Sequence, residues 1–148
     1  MEKPIISQQL IALDLDLTDK NSVIEFISQL AFKHGYITNL EDFLRTVKAR
    51  EEEASTAVGF DVAIPHGKSD KVLHPFIACG RVKTPFLWDG SEEVKLIFLI
   101  GVPKTEGMLH LKFISQLSKK LLDDDYRNTL SILDAAKQVE QQLNKIEI

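Results

Sequence analysis

The sequence predicts an α/β fold, one sheet covered by helices on both faces. Helix-period segments open the chain, short β-rich runs fill its middle, and helix-period segments close it. No repeat, low-complexity tract or linker rich in glycine, serine or proline divides the chain, so residues 1–148 read as one domain. With 44% hydrophobic and 27% charged residues, a chain of this size can bury a substantial core.

An alternating apolar stretch ends at 14–17, after which Thr18 is placed to cap a helix. That helix carries Val23, Ile24, Ile27, Leu30 and Ala31 on one face, and Gly35 is its stop. Asn39, with Asp42 three residues later, opens a second helix that buries Phe43, Leu44 and Val47 and brings Arg50 and Glu51 to its far end. Residues 62–64, 76–82 and 94–102 read as strands, separated by turn signals at 68–71 and at Asp89-Gly90. Beyond Gly107, His110, Phe113, Ile114, Leu117 and Leu121 share a helix face. Two short helices, at 126–133 and 135–143, complete the order.

Composition excludes several function classes. The net charge is −4, with 18 basic and 22 acidic residues intermixed, so no basic stripe exists to follow a nucleic-acid backbone. The lone Cys79 has no intrachain partner and fits a reducing compartment. The first residues lack the basic-then-apolar order of a signal peptide, and the longest apolar run, 96–102, is far short of the ~20 residues of a membrane span. A cytoplasmic protein without membrane insertion is expected. There is no phosphate-binding P-loop, dinucleotide fingerprint or nucleophile elbow. His34, His66, His74 and His110 do not form a zinc motif, so a metal-dependent hydrolase would have to assemble its ligands from scattered residues, and no metal or cofactor is expected.

One stretch stands apart, "STAVGFDVAIPHGKSD", residues 55–70. His66 lies between Pro65 and Gly67, and the expectation is a turn that presents the imidazole, with Gly67 removing a side chain that would obstruct a ligand or partner. A neutral imidazole is a competent nucleophile toward phosphorus. The alternative is a turn histidine packed on the surface. Around it, Arg50 offers a planar cation for phosphate oxygens, Ser55 and Thr56 offer hydroxyls and N–H groups, and Gly59 loosens the loop. The plainer reading of those residues is a helix exit, with an arginine favoured at the negative end of the dipole.

"REEEASTAVGFDVAIPHGK", "VKLIFLIGVP" and "HLKFISQLSKKL", in this order and at these separations, resemble the IIA domain of the fructose-mannitol type in the bacterial phosphoenolpyruvate-dependent sugar phosphotransferase system, a fold shared by nitrogen-regulatory IIA proteins. The resemblance covers nearly the whole chain. It implies that His66 takes a phosphoryl group from the histidine phosphocarrier protein and hands it to a IIB component, carrying it covalently with no cofactor. It also implies supporting roles for Arg50 and His110, and a single mixed sheet of about five strands with helices on both faces. A regulatory protein whose phosphorylation state selects its partner is the alternative that the same motifs allow. Phe60-Asp61 stands where many relatives carry Asn-Gly, so a differently shaped turn is expected there, with Phe60 on a docking rim beside Met108. His74, before Pro75, reads as a surface histidine.

Overall fold

Two long apolar runs organise the sheet. In the computed structural model, which describes residues 3–146, they form strands β5 (Phe76–Leu87) and β6 (Glu93–Pro103), paired antiparallel around the Asp89-Gly90 turn. Both run beyond their expected ends. A strand points successive side chains to opposite faces, and the two faces here have separate cores. Phe76, Ala78, Val82, Ile97 and Leu99 join one cluster with Val23, Ile24, Ile27, Phe43 and Val47. Ile77, Cys79, Leu96, Phe98 and Ile100 join another with Phe113, Leu117, Leu121, Leu130 and Leu143. Helices α1 (Lys20–Lys33) and α2 (Leu40–Glu53) thus serve the first cluster, and α3 (Leu109–Leu121), α4 (Asp124–Ile132) and α5 (Ala136–Leu143) the second.

The α/β mixed sheet was expected, with about five strands; the structure has six. Strand β1 (Ile11–Leu15) lies parallel to β5. The order is β1-β5-β6-β3-β2, where β2 is Ala57–Gly59 and β3 is Val62–Ala63, and β4 (His66–Ser69) also pairs with β6. Neither β2 nor β4 lies among the runs expected as strands. His66 to Ser69 run parallel to Ile100 to Pro103, so His66 opens a strand and only Asp70 and Lys71 turn.

Proline explains the break. Pro65 has no N–H for a ladder, and it splits one edge of β6 into β3, opposite Leu96 and Ile97, and β4, opposite Ile100 to Pro103. Two other details differ from expectation. Asp19, rather than Thr18, caps α1, accepting from the Ser22 N–H at 2.8 Å; a carboxylate one residue closer to the first turn also gains from the dipole. The Asn39 cap stands, accepting from the Asp42 N–H at 3.0 Å.

The Phe60-Asp61 turn also departs from expectation. It is a two-residue hairpin loop between β2 and β3 with φ of 56° and 64°, the doubly left-handed geometry that Asn-Gly favours. The turn keeps its shape despite its residues. The Arg127 guanidinium lies 4.4 Å from the centre of the Phe60 ring. Such a contact supplies ~0.5–1 kcal/mol at an exposed site, less than the ~1–3 kcal/mol of a strained backbone. The balance comes from the ladder, where the Asp61 carbonyl accepts from the Lys95 and Leu96 N–H groups.

Candidate functional site

Three side chains from three elements meet at the start of β4. His66 opens the strand, Arg50 comes from the last turn of α2, and His110 from the first turn of α3. The His66 and His110 rings lie 6.1 Å apart, inclined by 29°. Two clefts flank the group, and Arg50, His66 and His110 line both. One, of about 420 Å³, adds Thr46, Glu53, Gly67 and Lys68; the other, of about 350 Å³, adds Val58, Ile64, Leu111 and Ile114. The first is the more polar of the two, and the second is mainly apolar.

Gly67 sets the spacing of this group. Along β4, His66 and Lys68 are half-exposed while Gly67 and Ser69 are buried. A Cβ at Gly67 would sit 2.9 Å from Val47 and 3.3 Å from Phe43, so the glycine lets α2 press against the strand. That corrects the expectation that Gly67 clears space for a ligand. Its empty position faces the helix that carries Arg50.

The break at Pro65 orients the His66 ring. The Ile64 carbonyl is left free of the ladder and lies 2.9 Å from His66 Nδ1. A carbonyl only accepts, so Nδ1 carries the proton and Nε2 keeps its lone pair. Burial pushes the His66 pKa below its ordinary value, the Arg50 charge adds to this, and the Ile64 hydrogen bond and Glu51 charge oppose it. The ring is neutral near pH 7.

His110 is also held below the ordinary histidine value, first by burial and then by His66 and Lys68. Its Nδ1 is buried without a hydrogen-bond partner. An orphaned acceptor is less costly than an orphaned N–H, which puts the proton on Nε2 and makes His110 a donor there. Arg50 is steered by its own loop, its Nη1 donating to the Ala54 carbonyl at 3.0 Å.

Ser55 and Thr56 line the second cleft together with Arg50, His66 and His110, but their polar atoms already have partners. Thr56 is buried and gives both its N–H and its hydroxyl to the Glu51 carboxylate. Its donors are spent. The exposed Ser55 accepts from the Ala57 N–H and helps hold the Asp89 carboxyl below the usual carboxylate range. Two residues escaped the sequence reading. Lys68 lines the polar cleft and donates to the Gly107 carbonyl at 2.5 Å, tying β4 to the loop before α3; reading 66–69 as a strand would have put it on the face of His66. Glu51 was seen only as a helix end.

Residues 4–146 match the family model described as "Phosphoenolpyruvate-dependent sugar phosphotransferase system, EIIA 2". The chain belongs to this family. The fructose-specific EIIA component of Haloferax volcanii is 34% identical over 140 residues, covering 93% of this chain and 91% of that protein. The fructose-specific EIIABC component of Mycoplasma pneumoniae is 38% identical over 132 residues, 86% of this chain but only 19% of that protein. The chain thus spans about a fifth of that relative's length. Among solved structures, the nitrogen regulatory protein IIA-Ntr of Neisseria meningitidis superposes with a TM-score of 0.86 at 29% identity, covering 94% of this chain and 96% of that one. Among the described residues, no helix of this EIIA 2 chain is long and apolar enough to cross a membrane.

Proposed function

We propose that this EIIA 2 protein is a cytoplasmic phosphocarrier in which His66 Nε2 accepts a phosphoryl group from the histidine phosphocarrier protein and passes it to a IIB component, supporting sugar uptake. The observation that carries the reading is the Nδ1 contact to the Ile64 carbonyl, which fixes the tautomer and leaves Nε2 as the nucleophile. The Nε2 lone pair attacks phosphorus as the donor's N–P bond breaks, and the donor imidazole leaves with that electron pair. The second transfer repeats the exchange with the acceptor's nucleophile. Such transfers depend on positioning and on charge around the equatorial oxygens. Arg50 supplies paired donors, His110 Nε2–H a third, and the group rides covalently with no cofactor.

The apolar side of the site suits a protein partner. Leu111, Ile114 and Ser118 lie along one face of α3 with Leu122 just past its end, and Val58 and Phe60 of the β2 hairpin lie beside it. Leu111, Leu122, Val58, Phe60 and Met108 are exposed, and the strip leads away from the histidine pair. Both partners need His66, so one surface serves them in turn. The relative whose name joins A with B and C in one EIIABC component supports a IIB acceptor.

Incubation with phosphoenolpyruvate, enzyme I and the phosphocarrier protein should place an acid-labile label on His66, and label on a His66→Ala variant would refute the assignment. The likeness to a nitrogen regulatory protein favours a second reading, in which the phosphorylation state selects a regulatory partner. Transfer from His66 to a IIB protein supports transport; phosphate that no IIB accepts supports regulation.

A further inference from the structure

Glu51 is the most enclosed carboxylate near the site, 6% exposed, with three donors from two directions. It receives the Thr56 N–H at 3.1 Å, the Thr56 hydroxyl, and the Trp88 indole N–H at 3.1 Å. A buried carboxylate without partners is several kcal/mol unfavourable, so this arrangement is costly to assemble and stiff once assembled. Its placement in the hydrogen-bond order matters more than its stability.

From Thr56 the connections run directly to the phosphoacceptor. The Thr56 carbonyl accepts from the Ile64 N–H at 3.0 Å, and the Ile64 carbonyl holds His66 Nδ1 at 2.9 Å. On the other side of the same loop, the Ala54 carbonyl receives Arg50. Glu51 therefore anchors the segment whose two ends aim the imidazole and the guanidinium.

We infer that Glu51 is a positioning residue for phosphoryl transfer, acting through Thr56 and Ile64 to fix the His66 ring and through the 54–56 loop to hold Arg50. The inference rests on His66 as phosphoacceptor. Glu51 touches neither histidine nor phosphate. Trp88, by contrast, donates to Glu51 but has no hydrogen bond onward to Thr56, Ile64 or His66, so its indole bond is expected to serve stability. The pair separates positioning from mere support.

The experiment compares Glu51→Gln, Thr56→Val and Trp88→Phe in the full chain. Phosphorylated histidine phosphocarrier protein is the donor, with thermal melts alongside. Glu51→Gln and Thr56→Val should each slow acceptance at His66 between about 10- and 100-fold, as sub-ångström misplacement of reacting groups does, with KM for the donor unchanged. Together they should lose less than about twofold beyond either alone, since residues acting through one path are not additive. Trp88→Phe should lower the melting temperature yet keep the wild-type rate. Nitrogen-15 spectra of the unphosphorylated proteins should show the His66 Nδ1 and Nε2 signals displaced in Glu51→Gln and Thr56→Val and unmoved in Trp88→Phe. If Trp88→Phe slows transfer as much as Glu51→Gln, or the two losses multiply, the proposal falls. Should Glu51→Gln not fold, Thr56→Val against Trp88→Phe decides it. Wild-type protein that accepts no phosphate at His66 refutes the phosphocarrier reading. The ring signals then judge the positioning claim by themselves, and unmoved signals in folded Glu51→Gln overturn it.

Discussion

Glu51 and His66 lie fifteen positions apart in one continuous segment and use their polar atoms in opposite ways. Glu51 is buried with each carboxylate oxygen bonded, and its donors, Thr56 and Trp88, are committed to it. His66 is half-buried with one nitrogen pinned and one held back, and neighbouring His110 has a buried Nδ1 without a partner. Polar groups are satisfied around Glu51 and under-satisfied at the His66–His110 pair; away from both, Ser28 Oγ of α1 is also buried without a partner. That division predicts which substitutions affect transfer and which affect stability.

The sharpest test removes the reserved nitrogen. His66→Ala should abolish acid-labile labelling while leaving the melting temperature nearly unchanged; a large stability loss would mean that the ring belongs to the satisfied region after all. Arg50→Ala should slow acceptance on the order of 10²–10³-fold, the usual effect of deleting one preorganised donor to a charged transition state. It should also raise the His66 pKa, because the Arg50 charge helps depress it, so the acid limb of the rate profile should move to higher pH. Rapid-quench assays across pH measure both.

Gly67→Ala crosses the boundary between the two regions. Its Cβ, 2.9 Å from Val47, should cost ~1–3 kcal/mol as overpacking does, read from denaturant melts. By displacing α2 it should also slow transfer. Normal kinetics in the destabilised variant would show that Arg50 is placed independently of the helix contact.

The pH dependence has a definite sign. Both His66 and His110 are depressed from the ordinary 6.5. As pH falls through 6.5 the unfolded chain takes up protons that the folded chain still refuses, so stability declines from there until the folded values are passed. Wild-type acceptance should accordingly lose its rate at lower pH than an ordinary imidazole would, and His66→Ala should show a shallower loss of stability as pH falls below 6.5. The smallest effect belongs to the hairpin. Asp61→Gly, at φ 64°, should raise stability by up to about 1 kcal/mol through relief of left-handed backbone, without changing the transfer rate.

The sequence carried the large features because they depend on periodicity. Helices with an apolar stripe and the runs that became β5 and β6 are visible in spacing alone. The local order around Pro65 was hidden for a physical reason. Read alone, Pro-His-Gly is turn chemistry, but β6 offers an unpaired edge opposite residues 66–69, and pairing across the sheet overrides local preference. His66 and Arg50 were legible as residue types and His110 through the family resemblance, and the structure brings the three together. Thr56 lies in the site as expected, but its commitment to Glu51 was not legible, because a hydroxyl looks the same whether it faces phosphate or a carboxylate five residues earlier. Gly67 was misread because a glycine does not reveal which side needs the space.

Trp88 is the chain's one tryptophan, and its indole N–H ends on the carboxylate beneath the site. The molecule therefore contains a native optical reporter. Its ultraviolet emission comes from a single buried fluorophore whose hydrogen-bond acceptor belongs to the segment that aims His66. Stopped-flow fluorescence can follow that segment during each transfer without any attached dye.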